Sequence, residues 1–392
     1  MNEYIDQNLS IAEIEDALLD LIKEYNSKQD TYLIIYAVAF EKGDLPIALS
    51  KDDYFTIHDL LRGNNNDNLD FYIETPGGDG LAAEDIARFL RKKYENVNFV
   101  IVGDAKSAGT ILVMSGDDIL MSETGSLGPI DAQMQIGRSW GSAHDYMEWV
   151  NTKRTEAEST GYINPFDALM IAQISPIELE NVNNNLEFAK EIVMEFLKNY
   201  KFKNWDFTET NNHEVTPAKK EETARQIAER LADHTHWRSH GRSLKIKDLE
   251  NIGLRITNID ENTEVSEIVQ RIHVLIRLLF SSSPAFKIFF TADNKLVRQA
   301  IPASSETEMD PTNKVPRNAK FNLNCGSCGE EKKLYVKFID DPSIDEELQK
   351  EGYEPFPKNL EIKCACGFNI DLTPVKKDIE MQTGKSIILD EE

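Results

Sequence analysis

Three stretches decide how this chain reads: Phe71-Tyr-Ile-Glu-Thr-Pro-Gly-Gly-Asp-Gly80, Val100-Ile-Val-Gly-Asp-Ala-Lys-Ser-Ala-Gly-Thr110 and Met121-Ser-Glu-Thr-Gly-Ser-Leu-Gly-Pro-Ile-Asp131. Two apolar strands each end in small residues, and the second runs into a serine. A strand that stops at Gly77-Gly78 exposes backbone N–H groups. A strand that stops at Ser107-Ala108-Gly109 and opens a helix sets a hydroxyl where free N–H groups and the helix dipole favour a developing anion. Together they read as an oxyanion hole beside a nucleophile. The plainer reading of the same residues is a helix N-cap at Ser107 and a tight turn at Gly77-Gly78.

Working outward, the alternation of elements predicts an α/β fold. Strands are expected at 31–41, 69–75, 97–103 and 118–122, with an extended segment over 127–136. Helices are expected over 10–25, near 55–62, and over 81–93 and 107–115. A largely parallel sheet covered by helices follows from that order. Helices over 142–159, 177–200 and 216–233 then form an insertion, with 161–175 read as a loop. A helix over 264–281 and a hairpin from Lys287 to Val297 close the domain. The division expected is an N-terminal helix over 1–28, a main domain over 29–300, a Pro- and Ser-rich linker over 301–316 and a small module over 317–392.

Composition narrows the function. The chain of 392 residues is 41% hydrophobic and 28% charged, as in globular proteins. Its formal net charge of −25 argues against bulk binding to nucleic acid or to an anionic membrane surface. No apolar run approaches the roughly 20 residues that span a bilayer. The first residues lack the basic and apolar regions of a leader, so a cytoplasmic protein is expected. The cysteines are four, Cys325, Cys328, Cys364 and Cys366. Cys325-Gly-Ser-Cys328 and Cys364-Ala-Cys366 are each followed by glycine, a pattern of two knuckles that bring four thiolates to one zinc. The module is therefore expected to be a zinc-ribbon-like β module. The zinc is read as structural, with a protein partner as the sharper alternative.

Thr75-Pro-Gly-Gly78, Lys106-Ser-Ala-Gly-Thr-Ile-Leu-Val-Met-Ser-Gly-Asp-Asp-Ile-Leu-Met121 and Ser126-Leu-Gly-Pro-Ile-Asp-Ala-Gln133 together resemble the serine dehydrogenase proteinase family. His236-Trp-Arg-Ser-His-Gly-Arg242 resembles a later motif of the same family. That family is similar to the Clp protease and signal peptide peptidase A groups, which share the ClpP/crotonase fold. The resemblance implies Ser107 as nucleophile and the N–H groups of the Gly77-Gly78 turn, Gly78 above all, and of Ala108 as oxyanion hole. Asp131 resembles the position where a Clp protease has its histidine, and His240 resembles the position of its aspartate. The resemblance thus implies Ser107, His240 and Asp131 as a triad with two members exchanged in chain order, a change that need not spoil geometry. The second candidate base is Lys153, as in the lysine-dependent peptidases of the signal peptide peptidase class. The resemblance also implies a protein or peptide substrate and self-assembly into a homo-oligomer.

Some residues admit plainer roles. Lys153 pairs readily with Glu156 on an exposed helix. Lys106 is expected to face Asp104 or solvent, and His144 to be exposed, with a place near the site as its alternative. His234, His236 and His240 have spacings that suit a metal, but no acidic ligand stands at an obvious distance from them in the chain. Docking of a helix end by His236 and Trp237 is the preferred reading there. No Walker A pattern occurs, so no nucleotide is expected. The reading is a serine endopeptidase without its own ATPase. A non-catalytic scaffold on the same fold and a crotonase-type acyl-CoA enzyme are its alternatives.

Overall fold

The computed structural model describes residues 9–136, 139–207, 213–300, 317–325, 328, 330–367, 369–383 and 385–388. The chain divides into two compact units, Met1–Ala300 and Ile301–Glu392. The expected linker over 301–316 lies outside the described residues.

The first unit opens with α1 (Ile11–Gln29), whose capping box between Ser10 and Glu13 is formed and whose buried face is Ile14, Leu18, Leu21, Ile22 and Tyr25. β1 (Tyr32–Val38) is buried along its whole length, as its unbroken apolar run requires. It ends earlier than 41 because a 3-10 turn begins at Phe40. There follow α2 (Lys51–Leu61), β2 (Asn68–Glu74), α3 (Gly80–Lys93), β3 (Asn96–Ile101), β4 (Asp104–Ala105), α4 (Ala108–Val113), β5 (Asp118–Met121) and β6 (Ser126–Leu127). The extended segment expected over 127–136 is broken after Leu127 by Gly128-Pro129, and only β7 (Gln133–Ile136) resumes it, pairing antiparallel with β8 (Ser139–Ser142).

The insertion comprises α5 (Ala143–Thr160), α6 (Pro165–Ile171), α7 (Pro176–Phe196) and α8 (Pro217–Ala232). The loop expected over 161–175 is thus corrected to hold a helix. Asn164 caps α6 by accepting the Asp167 N–H at 2.9 Å, and Pro165 takes the first helical position, a start signal that apolar periodicity alone passes over. Short helices α9 (His234–Trp237) and α10 (Ile246–Asn251), strand β9 (Thr257–Asn258), α11 (Thr263–Ser282), and the hairpin β10 (Ala285–Phe290) and β11 (Lys295–Gln299) complete the unit.

The central sheet has seven strands in the order β11-β10-β1-β2-β3-β5-β9. β1, β2, β3, β5 and β9 run parallel, and β10 and β11 are antiparallel additions at one edge. β2 and β3 therefore end on one side of the sheet, which brings the turns at 75–79 and 102–107 together, as strand ends do in open parallel sheets.

The second unit pairs β12 (Asn318–Asn324) with β13 (Glu331–Lys337), and β15 (Glu361–Lys363) with β16 (Asn369–Asp371), both antiparallel, each pair meeting near one cysteine cluster. β14 (Glu354–Pro355) joins β13. Besides its strands the expected β module carries two helices, α12 (Pro342–Lys350) and α13 (Thr373–Thr383). Among the described residues no helix is long and apolar enough to cross a membrane.

Candidate active site

The turn before α4 carries an unusual backbone. Ser107 has φ +50° and ψ −117° and its side chain caps nothing. An N-cap serine has extended dihedrals and accepts a hydrogen bond from the helix, so the plain capping role is excluded here. This conformation is that of the first central residue of a type II′ turn, a glycine position. It persists because its neighbours are held on both sides. The Thr75 N–H donates to Asp104 O at 2.8 Å, Lys106 N–H to Thr75 O at 2.9 Å and Gly109 N–H to Lys106 O at 2.8 Å.

Gly77 and Gly78 face that turn. Gly77 has φ +98°, and a Cβ on it would stand 2.6 Å from Ser107 Cβ. Gly78 has φ +148°, and a Cβ would stand 2.4 Å from Leu49 O. Leu49 clamps their peptide, donating its N–H to Gly77 O at 2.8 Å and accepting from Asp79 at 2.9 Å. Gly77 turns its own N–H to Thr75 Oγ1 at 3.2 Å. Among the described residues the N–H groups of Gly78 and Ala108 and the Ser107 hydroxyl make no hydrogen bond. Two uncommitted donors and one uncommitted hydroxyl are what acyl-transfer chemistry uses.

Asp131 is placed by long-range pairing. Thr110 Oγ1 accepts the Gly128 N–H at 3.0 Å, which ties the segment leading to Asp131 to α4. Leu127 and Leu244 form an antiparallel bridge with hydrogen bonds of 3.1 and 2.9 Å. Ile130, beside Asp131, donates its N–H to Leu231 O at 3.0 Å, which ties the same segment to the end of α8. Asp131 is 1% exposed. Its Oδ1 lies 2.9 Å from His240 Nδ1, its Oδ2 lies 2.8 Å from His234 Nδ1, and Gln133 Nε2 donates to Oδ2 at 3.1 Å. Burial pushes the Asp131 carboxyl upward, but the hydrogen bonds and charge of His240 and His234 outweigh it and hold the group below the usual carboxylate range.

His234 is the residue that sequence reasoning placed elsewhere. It enters the sequence reading only as part of a metal motif, because nothing in the chain brings it to Asp131, from which it is separated by 103 positions. Its Nε2 lies 3.4 Å from Asp145 Oδ2, so an acidic partner does exist, contributed from α5 rather than from a nearby stretch. His144 is correspondingly half-buried, its ring 6.0 Å from that of His234. Trp237 docks the end of α8, donating Nε1–H to Arg230 O at 2.6 Å, with the His236 ring edge-on to it.

The two lysines differ sharply. Lys153 pairs with Glu156 at 2.9 Å and Asp167 at 3.1 Å, and the hydrogen bonds to both raise its pKa. A lysine base must be neutral, so this setting opposes that role. Lys106 is buried, donates to Ser126 Oγ at 2.5 Å, Ser243 Oγ at 2.8 Å and Leu127 O at 3.2 Å, and lies 3.3 Å from Asp104. Burial lowers its pKa against the pull of Asp104. It joins the Ser107 turn to the Leu127–Leu244 seam.

In the second unit the four cysteine sulfurs all lie within 4.8 Å of one another. Cys325 Sγ stands 3.7 Å from Cys366 Sγ, and Cys328 Sγ 3.5 Å from Cys364 Sγ. Four thiolates at about 2.3 Å from a zinc stand roughly 3.8 Å apart, so this set fits one tetrahedral ion.

Residues 12–204 match the family model of the ClpP-like SDH-type serine proteinases. Two uncharacterized proteins of Methanocaldococcus jannaschii are similar. One is 30% identical over 31% of this chain and 45% of its own length, the other 35% identical over 17% and 23%. The chain thus spans less than half the length of these curated relatives. Two solved variants of a membrane-bound stomatin-specific protease, one in complex with a substrate peptide, overlap at TM-scores of 0.31 and 0.30. Their identities are 13% and 14%, covering 57% and 55% of this chain and 79% and 73% of theirs. A likeness that low says nothing further of this chain.

Proposed function

Residues 12–204 carry the match to the ClpP-like SDH-type serine proteinases, and from it we propose that the protein hydrolyses peptide bonds with Ser107 as nucleophile, His240 as base and Asp131 as the carboxylate that orients it. Ser107 Oγ attacks the carbonyl carbon and His240 Nε2 accepts its proton. Asp131 Oδ1 receives the Nδ1–H of His240, which fixes the tautomer and stabilises the imidazolium. The N–H groups of Gly78 and Ala108 take the oxyanion. Collapse of the tetrahedral intermediate breaks the C–N bond, and His240 returns the proton to the leaving amine. Water then repeats the sequence on the acyl-enzyme.

The observation that carries this reading is the left-handed backbone of Ser107. Such a residue costs of order 1–3 kcal/mol, which a structural N-cap has no reason to incur. The hydroxyl it carries is uncommitted, as are the N–H groups of Gly78 and Ala108 among the described residues. Gly77 serves by leaving room, since its own N–H is engaged. The four cysteines hold one zinc that cross-links the small second unit; bound there, the ion supplies a fold constraint and no chemistry. A homo-oligomer and a cytoplasmic setting belong to the same proposal. Exposed Phe166, Leu169 and Ile177 on the insertion support the first, and four cysteines grouped as metal ligands rather than as disulfide pairs support the second.

The test is labelling with a fluorophosphonate probe. Wild type reacts and Ser107→Ala does not; equal labelling of both, or no labelling of either together with no peptidase activity, rejects the assignment.

A further inference from the structure

Strand β10, Ala285-Phe-Lys-Ile-Phe-Phe290, is buried at every position, yet it carries a lysine. Lys287 is 1% exposed, and Asp53, in the first turn of α2, is 0% exposed. Lys287 Nζ donates to the two Asp53 oxygens at 3.1 and 2.8 Å. The proposed reaction uses neither group. Nor does stability call for them, because removing two charges from water offsets their attraction. An apolar pair of similar volume often folds as well.

What the pair adds is a hold on the backbone. Lys287 Nζ also donates to Ala48 O at 2.9 Å. Asp53 Oδ2 accepts the Ser50 N–H at 2.9 Å and the Ser50 hydroxyl at 3.2 Å. Helix capping accounts for the Ser50 bonds, but not for a buried cation on the Ala48 carbonyl. Residues 43–50 belong to no helix or strand, so no regular ladder fixes them. The pair therefore grips the chain on both sides of one residue, Leu49.

Leu49 is the residue that clamps the glycine turn. It forms a parallel bridge with Gly78. Its N–H donates to Gly77 O at 2.8 Å, and its carbonyl accepts the Asp79 N–H at 2.9 Å. Between those two bonds stands the Gly78 N–H, one of the two donors assigned to the oxyanion. Buried hydrogen bonds thus run from Lys287 and Asp53 to Ala48 and Ser50, and from Leu49 to the peptides flanking that donor. We infer that Lys287 and Asp53 are positioning residues of the oxyanion hole: they fix Leu49, and Leu49 aims the Gly78 N–H. The role rests on the proposed serine chemistry.

The test replaces the pair with neutral side chains of similar size, in the double variant Asp53→Asn, Lys287→Met of the full chain. On a peptide substrate its kcat is expected to fall about 10–100-fold, as for a misplaced donor, with KM within threefold of wild type. A kcat within threefold of wild type, or a loss carried by KM, overturns the role. In a Gly78→Ala background the same two substitutions are expected to cost less than threefold more; a full multiplied loss places their action elsewhere and overturns the route through Leu49. Amide hydrogen exchange reads the clamp without catalysis. In the double variant the Leu49 and Asp79 amides are expected to exchange at least tenfold faster, while that of Phe99 in β3 is unchanged; unchanged exchange at Leu49 and Asp79 overturns the clamp. In wild type those two amides are expected to exchange as slowly as β2, and exchange at the rate of the loop over 63–67 overturns the clamp whether or not the variant folds. Failure of the serine reading shows separately. A wild type with neither Ser107-dependent labelling nor peptidase activity strikes both proposals, whereas an active wild type with an equally active double variant strikes the positioning role alone.

Discussion

The Ser107 turn and the Asp131 cluster are held by different means. Around Gly77, Gly78 and Ser107 the restraints are backbone hydrogen bonds, to Leu49 and Thr75, and the glycines are fixed by backbone atoms that a Cβ would strike. Around Asp131 the contacts are between side chains from segments 103 and 109 positions apart. Those segments are brought together by the Leu127–Leu244 bridge, by the Ile130 N–H donating to Leu231 O at 3.0 Å, and by Lys106. Main-chain geometry of the first kind is rigid and resists tuning. Side chains of the second kind titrate, and can be shared by more than one partner, as Asp131 is.

Substitutions at the two places have different expected signatures. Ser107→Ala and Asp131→Asn are each expected to lower kcat/KM by about 10⁴-fold or more, measured on a peptide substrate, with Ser107→Ala leaving thermal stability nearly unchanged. If Asp131→Asn retains activity within tenfold, the cluster is structural and the contrast fails. Gly78→Ala is expected to cost about 10²–10³ in kcat, the size of one lost oxyanion donor, and to lower the melting temperature as well, because its Cβ meets Leu49 O at 2.4 Å. An unaltered melting curve would show that the Leu49 clamp is loose.

The two imidazoles of Asp131 sharpen the comparison further. His240→Ala is expected to fall to within tenfold of Ser107→Ala, since the two act as a unit. His234→Ala, which removes only a positioning contact, is expected to cost less than about tenfold. The reverse order would make His234 the base. The smallest effect is on stability in acid. The Asp131 carboxyl is held below its ordinary value, so its contribution is fully present above the unfolded pKa of about 3.9 and is lost as pH falls through the lower folded value. Wild type and Asp131→Asn should therefore differ in unfolding free energy at pH 7 and converge toward pH 2. Parallel curves would contradict the linkage.

Much of the nucleophile side was legible in the chain because its restraints are local. The strand endings at Gly77-Gly78 and Ser107-Ala108 could be read from apolar runs that stop at small residues. The capped face of α1 and the buried run of β1 were legible for the same reason: periodicity reports burial directly. The helix at Pro165–Ile171 was missed because its start rests on Asn164-Pro165 rather than on an apolar stripe. The role of His234 was missed because no local pattern encodes a contact across 103 positions. Lys106, adjacent to the serine in sequence, was expected at Asp104 or in solvent; it lies 3.3 Å from Asp104 and is buried. Its donation to Ser243 depends on the same distant seam.

By itself the amino-acid sequence determined the alternation of strands and helices, the small residues that end β2 and precede α4, and the two cysteine knuckles, all consequences of local backbone preference and hydrophobic period. Only the tertiary structure decided that Ser107 adopts a glycine-like turn, that Asp131 is shared by His240 and His234, and that Asp145 faces the latter. The reason is physical. A dihedral held against its preference, and a hydrogen bond between remote side chains, exist only once a packed sheet over-determines them.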